Sequence, residues 1–285
     1  MALRILTALA LIPIVVGLVW FGPVGLLAVA AAGVAMLALV EFFELGERVG
    51  LHGFRKWTIA CTAGLFYAQY STGMMQTHEF SGGLAVIHSP SGATLSIEAV
   101  LLVFVFGCVC IGLATRRSLH DVLPGMSLSA GGLIFVALPF SYIVRISETE
   151  RHGRELVLFT LVLIWAGDIL AYFVGSTFGR IPMAPALSPK KTWEGALGNF
   201  FASLLVAVAF ARWAQLDVVM LLVMAALANI AGQMGDLIES AYKRGAVVKD
   251  SGTLLPGHGG MLDRIDALVL ACPVVWAVYL FLGRP

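Results

Sequence analysis

The residues best suited to chemistry lie in one polar stretch near the C-terminus, which runs from Ser240 to Asp266. It combines carboxylates, basic side chains and a run of glycines in a chain that is 59% hydrophobic and only 12% charged. Carboxylate oxygens suit Mg²⁺, basic side chains neutralise phosphate, and glycines let backbone N–H groups approach phosphate closely. These components together are typical of phosphoryl or nucleotidyl transfer.

A predicted helix leads into this stretch and carries a polar stripe on one face. At about 100° per residue, its polar side chains fall within an arc of roughly 80°. They are Asn229, Gln233, Asp236, Ser240 and Lys243, with Glu239 just beside them. A charge that faces lipid costs about 2.5–3.5 kcal/mol, so we expect the stripe to face a polar cavity. Snorkelling at the membrane surface also explains Lys243 and Arg244 taken alone, but not Asp236 and Glu239.

Asp263 and Asp266 stand three residues apart where the next helix is predicted to begin. At this spacing they share one helix face, and neighbouring carboxylates repel each other unless a cation lies between them. With Asp236 across a short loop, they form an oxygen-rich group of the kind that suits Mg²⁺. The alternative is that both are first-turn acids, each favoured by the helix dipole by about 0.3–1 kcal/mol.

Bases and glycines lie between these carboxylates. Lys243, Arg244 and Lys249 precede the sequence PGHGG at positions 256–260. We expect the bases to neutralise phosphate and the glycine backbone to approach it. His258 is either a phosphate donor or a turn residue.

A second group of candidates lies about 50 residues earlier. Asp168, Tyr172 and Gly175 share a helix face, and Asp168 lies deep in an apolar run, where a carboxylate indicates function. The loop that follows contains SPKKTWEG at positions 188–195. Its two lysines either bind phosphate or anchor the protein at the membrane surface. Ser188 with the proline after it, or Thr192, is suited to cap the next helix, and Glu194 is suited to its first turn.

The composition places these residues in a membrane. Nine apolar segments of roughly 18–24 residues recur along the 285-residue chain, and each is long enough to cross the hydrocarbon layer. They lie near 3–21, 24–43, 57–74, 98–115, 124–146, 155–177, 195–213, 217–236 and 265–282. We interpret Glu41 and Glu44, at the end of the second segment, as interfacial rather than catalytic. The four cysteines lie in apolar runs and are interpreted as buried hydrophobes.

We therefore predict an all-α polytopic membrane protein with about nine transmembrane helices and an active site in a polar cavity near the cytoplasmic side. Residues 1–150 would hold about five N-terminal spans, and residues 151–285 the catalytic region. With the N-terminus in the cytoplasm, most of the 18 Lys and Arg residues fall in cytoplasmic segments. No basic tail accompanies the net charge of +1, so nucleic acid is not an expected partner.

The polar stretch resembles a known family signature. The pattern S-x-x-K-R-x4-K-D-x-G-x3-P-x-H-G-G-x2-D-R-x-D is similar to that of phosphatidate cytidylyltransferases, also called CDP-diacylglycerol synthases. Thirteen positions carry this resemblance: Ser240, Lys243, Arg244, Lys249, Asp250, Gly252, Pro256, His258, Gly259, Gly260, Asp263, Arg264 and Asp266. The segments SPKKTWEG and DILAYFVGSTFGR also look like this family, whereas the N-terminal half resembles it only in hydropathy and span number.

The resemblance implies that CTP and phosphatidic acid react, with Mg²⁺, to give CDP-diacylglycerol and pyrophosphate in phospholipid biosynthesis. Asp236, Asp263 and Asp266 would hold Mg²⁺ and, if there is one, a second divalent or monovalent cation. They would form the catalytic set with Lys243. Substrate binding would involve Ser188, Lys190, Lys191, Thr192, Ser240, Arg244, Lys249, Asp250, His258, Gly259, Gly260 and Arg264.

The resemblance further implies a multi-pass protein of the cell inner (plasma) membrane whose site faces the cytoplasm, and it is compatible with a homodimer.

Three other classes of membrane protein are alternatives to this family. A CTP-dependent lipid or polyprenol kinase would transfer the γ-phosphate to an alcohol and release CDP. A CDP-alcohol phosphotransferase would carry a D-G-x2-A-R opening, which the sequence lacks. An ion-coupled transporter would explain Asp168 but not the bases of the polar stretch.

Overall fold

The computed structural model describes residues 2–73, 78–79, 85–86, 95–115, 118–149, 151–252, 254 and 259–283. These residues form helices and two small antiparallel hairpins. The helices are α1 (Ala2–Phe21), α2 (Val24–Arg48), α3 (Arg55–Gly73), α4 (Ile97–Ala114), α5 (Leu119–Gly132), α6 (Leu138–Ser147), α7 (Gly153–Phe178), α8 (Trp193–Ala214), α9 (Val218–Gly245) and α10 (Leu262–Leu282). The strands are β1 (His78–Glu79), β2 (Ala85–Val86), β3 (Pro182–Ala184) and β4 (Ser188–Thr192). A π-helical turn, Leu133–Ala137, joins α5 to α6.

Seven helical segments of the described chain are long and apolar enough to cross a membrane. They are Val24–Arg48, Ile97–Ala114, Leu119–Ser147, Gly153–Phe178, Trp193–Ala214, Val218–Gly245 and Leu262–Leu282. This confirms the predicted all-helical, polytopic membrane class. Helices α1 and α3 lie where the other two spans were predicted, but neither is among these seven, so the count of nine spans stays a prediction.

Local sequence sets the ends of several helices. The Gly-Pro pair at 22–23 separates α1 from α2, as the turn chemistry of these residues predicts. Thr192 caps α8 by accepting the N–H of Gly195 at 3.2 Å, which confirms one of the two caps expected there. Asp217 likewise caps α9 by accepting the N–H of Met220 at 2.6 Å.

Glycines bring the last four helices close together. A Cβ added to Gly198 on α8 would lie 2.9 Å from Val174 Cγ2 on α7, and one added to Gly235 on α9 would lie 2.3 Å from the carbonyl oxygen of Asp266 on α10. Small residues at such contacts are the usual means of helix association within membranes. The contact at Gly235 also sets the register of α10 against α9 beside the carboxylates.

Polar side chains, of which Asn199, Ser203 and Asn229 are buried, link α7, α8 and α9. Asn229 on α9 is 1% exposed and donates to Asn199 and, at 2.6 Å, to Ser203 Oγ, both on α8. Gln233 donates to Asn229 Oδ1 at 2.6 Å, and Asn199 donates to Asp168 Oδ1 on α7 at 3.5 Å. The predicted polar stripe of α9 therefore does face the protein interior in this region.

Candidate active site

A polar cavity of about 250 Å³ lies between α7, α8, α9 and the β3–β4 hairpin. Its charged and amide lining residues are Asp168, Lys190, Lys191, Asn199, Gln233 and Asp236. Four elements supply them, because the lysines come from the hairpin, Asn199 from α8, and the acids from α7 and α9. The two groups of candidates predicted from the sequence thus meet in one cavity.

The β3–β4 hairpin positions the two lysines. Its strands pair antiparallel, with Ala184 opposite Ser188. Lys191, at the end of β4, forms an ion pair with Asp236 on α9, and Lys190 lines the same cavity from a more exposed position. The cavity therefore has a basic wall facing an acidic one.

A carboxylate cluster lies where α9 and α10 meet. One oxygen from each of Asp236, Glu239 and Asp266 lies within 4.8 Å of the others. Glu239 is 3% exposed, and apart from an ion pair with Lys243 neither of its oxygens has a hydrogen-bond partner in the described part of the chain. Since carboxylates this close repel one another, the arrangement suits a bound cation.

Asp263 lies outside this cluster, and its two oxygens already accept hydrogen bonds. Lys243 Nζ donates to Oδ1 at 2.5 Å. The N–H groups of Ser251 and Gly260 donate to Oδ2 at 3.0 and 2.8 Å. Asp263 therefore fixes the loop before α10 to Lys243.

Lys243 joins the carboxylate cluster to Asp263. It forms ion pairs with Glu239 and with Asp263, and its side chain is 13% exposed. Of the three aspartates predicted to bind metal, Asp236 and Asp266 lie with Glu239, and Asp263 is linked to this cluster through Lys243.

The glycines before α10 lie against carboxylates. Gly259 has φ +77°, a conformation that favours glycine, and a Cβ there would lie 2.8 Å from Asp263 Oδ2. A Cβ on Gly260 would lie 2.2 Å from Glu41 Oε2. The sequence PGHGG thus reaches carboxylate oxygens at its last two positions, while His258 and the two residues before it lie outside the described residues.

The other candidates of the polar stretch lie at the surface or at helix ends. Arg244 donates from Nε to the carbonyl of Leu187 at 3.0 Å, which ties the end of α9 to the turn between β3 and β4. Ser240 is buried, whereas three further candidates are exposed: Lys249, Asp250 and Arg264. On the hairpin, Thr192 uses its hydroxyl as the α8 cap, and Ser188 is half-buried.

A smaller apolar cavity of about 70 Å³ lies on the other side of the carboxylates. Its lining includes Glu239 and Asp266 together with apolar side chains of the π-turn, α9 and α10, namely Phe135, Val136, Ile238, Leu262, Val269 and Leu270. The carboxylate cluster therefore borders a polar cavity through Asp236 and an apolar one through Glu239 and Asp266.

Two buried acids were missed or undervalued by the sequence reasoning. Glu239 was seen beside the polar stripe but not assigned to the metal group. Glu41 was interpreted as interfacial rather than catalytic, and the structure shows a side chain that is 5% exposed and accepts hydrogen bonds from Ser251, Met261 and Leu262. The sequence did contain an indication that Glu41 has a special role, because it falls inside the second predicted span, where an acid is unusual. Glu44 is 48% exposed, in keeping with an interfacial position.

The helices and the site together define a class: a membrane-embedded protein with a polar site of carboxylates and lysines among its last four helices. The chain matches the sequence profile of the cytidylyltransferase family over residues 2–282 and belongs to that family.

Curated relatives agree with this assignment. The chain is 39% identical over 145 residues to the phosphatidate cytidylyltransferase of Bacillus subtilis, covering 50% of this chain and 54% of the relative. It is 41% identical over 136 residues to that of Haemophilus influenzae, covering 46% and 47%. It is 39% identical over 130 residues to that of Staphylococcus aureus, covering 45% and 50%. The chain thus spans about half the length of the curated relatives it matches.

Proposed function

We propose that the protein is a CTP:phosphatidate cytidylyltransferase of phospholipid biosynthesis. A phosphate oxygen of phosphatidic acid would attack the α-phosphorus of CTP, and the bond to the departing pyrophosphate would break as the new P–O bond forms. The products are CDP-diacylglycerol and pyrophosphate. The observation that carries this proposal is a carboxylate cluster that borders a lysine-lined polar cavity and an apolar cavity. Family membership and the names of the relatives support the same reaction.

We propose that Asp236, Glu239 and Asp266 hold Mg²⁺. The fit rests on their spacing within 4.8 Å and on the buried carboxylate of Glu239, whose one partner among the described residues is the ammonium group of Lys243. When bound, Mg²⁺ neutralises charge on the triphosphate and on the departing pyrophosphate. Asp263, a metal ligand in the sequence-based prediction, is proposed to hold Lys243 next to them. A second cation, divalent or monovalent, remains compatible with so many carboxylates.

The polar cavity is proposed to take the triphosphate of CTP. Lys190 and Lys191 line it, and Lys191 already pairs with the carboxylate of Asp236. A phosphate oxygen can replace that carboxylate as the partner of Lys191, with a charge-assisted hydrogen bond of similar strength. Arg244, Lys249 and Arg264 are proposed to add positive charge at the exposed surface around the site.

The apolar cavity supports a lipid as the second substrate. Its walls are side chains such as Phe135, Val269 and Leu270, and carboxylates of the cluster lie at its edge. An acyl chain suits these walls, because burying it removes apolar surface from water by about 25 cal/mol per Å². The lipid phosphate would then lie beside the cluster that faces the CTP cavity.

The proposed reaction requires little covalent chemistry from the side chains of the protein. A phosphate monoester is already largely ionised at neutral pH, since its second pKa is about 6, so attack requires no protein base. The side chains bind, orient and neutralise the two phosphate groups, and such positioning and electrostatic effects are typically the largest contributions to phosphoryl-transfer rates.

The proposal also includes the membrane that holds the protein and the side of it that the site faces. We place the protein in the cell inner (plasma) membrane, with the site open to the cytoplasm where CTP is made. The distribution of Lys and Arg supports that orientation. The homodimer stays an expectation from the resemblance.

The experiment that tests the function follows a label on the α-phosphorus. Purified protein in detergent receives phosphatidic acid, Mg²⁺ and α-³²P-labelled CTP. We expect the label in an organic-soluble lipid and an equal amount of pyrophosphate in water. A boiled sample and a reaction with diacylglycerol in place of phosphatidic acid serve as controls.

Other outcomes separate the alternatives. Label that stays in water as CDP, with phosphate moved to a lipid alcohol, would establish a kinase instead. Ion flux across sealed vesicles with no turnover of CTP on any lipid acceptor would establish a transporter.

A further inference from the structure

Helix α10 carries Asp263 and Asp266 but begins without a side-chain cap of its own. Its first N–H groups are instead bound by Glu41, on α2. The N–H of Met261 donates to Oε1 at 2.8 Å, and the N–H of Leu262 donates to Oε2 at 2.9 Å. Unsatisfied N–H groups at a helix start are normally capped by a nearby side chain. Here the cap comes from a residue about 220 positions earlier in the chain.

The same carboxylate also holds the start of the preceding loop. Ser251 Oγ lies 2.8 Å from Glu41 Oε2 and 3.0 Å from Asp263 Oδ2, so its single proton serves one acceptor at a time. The N–H of Ser251 donates to Asp263 as well. Glu41 thus contacts both ends of the segment that runs from residue 251 to the first turn of α10.

Two glycines close this segment around Glu41. A Cβ on Gly252 would lie 2.5 Å from Oε1, and a Cβ on Gly260 would lie 2.2 Å from Oε2. Distances this short do not occur between real atoms, so a side chain at either position would displace the Glu41 carboxylate from its donors.

Glu41 is buried without a basic partner. Its exposure is 5%, and no lysine or arginine of the described chain forms an ion pair with it. A buried charge is tolerated only when hydrogen bonds replace its water. The donors at the start of α10, together with the positive end of that helix dipole, supply this stabilisation.

A continuous set of contacts runs from Glu41 to the carboxylate cluster. Ser251 joins Glu41 to Asp263, Lys243 joins Asp263 to Glu239, and Glu239 belongs to the cluster. We propose that Glu41 is a positioning residue: it caps α10 from α2 and thereby fixes Asp263 and Asp266 relative to α9. This role rests on the proposed function, since the cluster is what we propose to hold Mg²⁺.

The test compares Glu41→Gln with Glu44→Gln. Gln keeps the size of Glu41 but replaces one of its two oxygens by an NH2 group. That group faces the N–H or O–H donors that the oxygen accepted from, so donor meets donor and the two repel. Glu44 is one turn further along α2 and half exposed, and among the described residues its ion pair is a 3.9 Å contact to Arg55, so its variant is the matched control. Three quantities are measured: kcat, the Mg²⁺ concentration for half-maximal turnover, and the shift of the unfolding temperature when Mg²⁺ is added without substrate.

We expect Glu41→Gln to lower kcat by about tenfold or more, as when buried donors lose their acceptor. The Mg²⁺ concentration for half-maximal turnover should rise by a similar factor, and the Mg²⁺-induced shift of the unfolding temperature should shrink. Glu44→Gln should match the parent protein in all three. Ser251→Ala, which removes one of the donors, should change them in the same direction but less.

The proposal is overturned if Glu41→Gln lowers the unfolding temperature yet keeps the parent's kcat and Mg²⁺ dependence, because Glu41 would then be merely structural. Failure of the proposed function is distinguishable from this result. If the parent protein turned over no CTP, the Mg²⁺-induced shift in unfolding temperature would still decide whether Glu41 positions the carboxylates.

Discussion

At the scale of single residues, the candidate site places lysine ammonium groups next to closely spaced carboxylates. Two lysines each pair with cluster carboxylates: Lys191 with Asp236, and Lys243 with Glu239. Cations from the protein thus offset part of the negative charge that a bound metal would otherwise offset alone. Asp266 has no such lysine, and its Oδ1 accepts only the adjacent N–H of Ala267 at 2.7 Å among the contacts described.

Asp266→Asn should therefore raise stability while it lowers activity. Removing one of three crowded carboxylates relieves repulsion, so the unfolding temperature without Mg²⁺ should rise by a few degrees. Turnover should fall on the order of a hundredfold, as when one electrostatic group of an active site is lost. Thermal unfolding with and without Mg²⁺, together with the CTP assay, checks both effects. Asp121→Asn, at an exposed position on α5, is the control, and equal activity of the two variants would contradict the metal assignment.

At the scale of elements, glycines determine how closely the helices of the candidate site approach one another. Gly235→Ala places a Cβ 2.3 Å from the carbonyl of Asp266, so α9 and α10 must move apart. We expect a loss of about 1–3 kcal/mol in stability and a larger loss of activity, because the cluster spans these two helices. Gly33→Ala on α2 is the control, since a Cβ there meets nothing within 4 Å. Unfolding in detergent and the CTP assay measure both variants, and identical behaviour would contradict the proposed contact.

The elements themselves were largely predictable. Hydropathy located most helices within about five residues, because a helix needs a minimum apolar length to cross a membrane. It ended the span of α9 at 236, whereas the helix continues to Gly245. Turn and cap chemistry at 22–23 and Thr192 indicated helix ends. The angular spacing on α9 correctly predicted an inward polar stripe. The contacts between helices were not predictable in this way. The sequence grouped Asp263 with Asp236 and Asp266, whereas the structure places Glu239 beside them. Which acid joins the cluster depends on the register of α10 against α9. The role of Glu41 depends on a contact between residues about 220 positions apart in the chain.

At the scale of the whole molecule, two unlike cavities border one cluster. The polar cavity is lined by lysines and amides, and the apolar cavity by side chains of the π-turn, α9 and α10. A reaction between a water-soluble nucleotide and a membrane lipid needs such an arrangement, because each substrate arrives from a different solvent.

Leu270→Trp tests the apolar side separately. The larger side chain should fill part of the cavity, which is only about 70 Å³. We expect the KM for long-chain phosphatidic acid to rise roughly tenfold, the equivalent of about 1.4 kcal/mol, while the KM for CTP stays unchanged. Short-chain phosphatidic acid should be affected less. Leu102→Trp, at a position 71% exposed on α4, is the control, and an equal effect of both variants would show that the cavity holds no acyl chain.

The contact between Glu41 and α10 also sets an order of events during biosynthesis. Helix α2 leaves the ribosome about 210 residues before Ser251, which at 5–20 residues per second is an interval of roughly 10–40 seconds. Throughout that interval the Glu41 carboxylate lies near the end of a membrane helix without any of its final donors. Helix α10 therefore supplies hydrogen bonds to an acid that was made much earlier, and a nascent chain that stops before α10 retains a carboxylate without these donors.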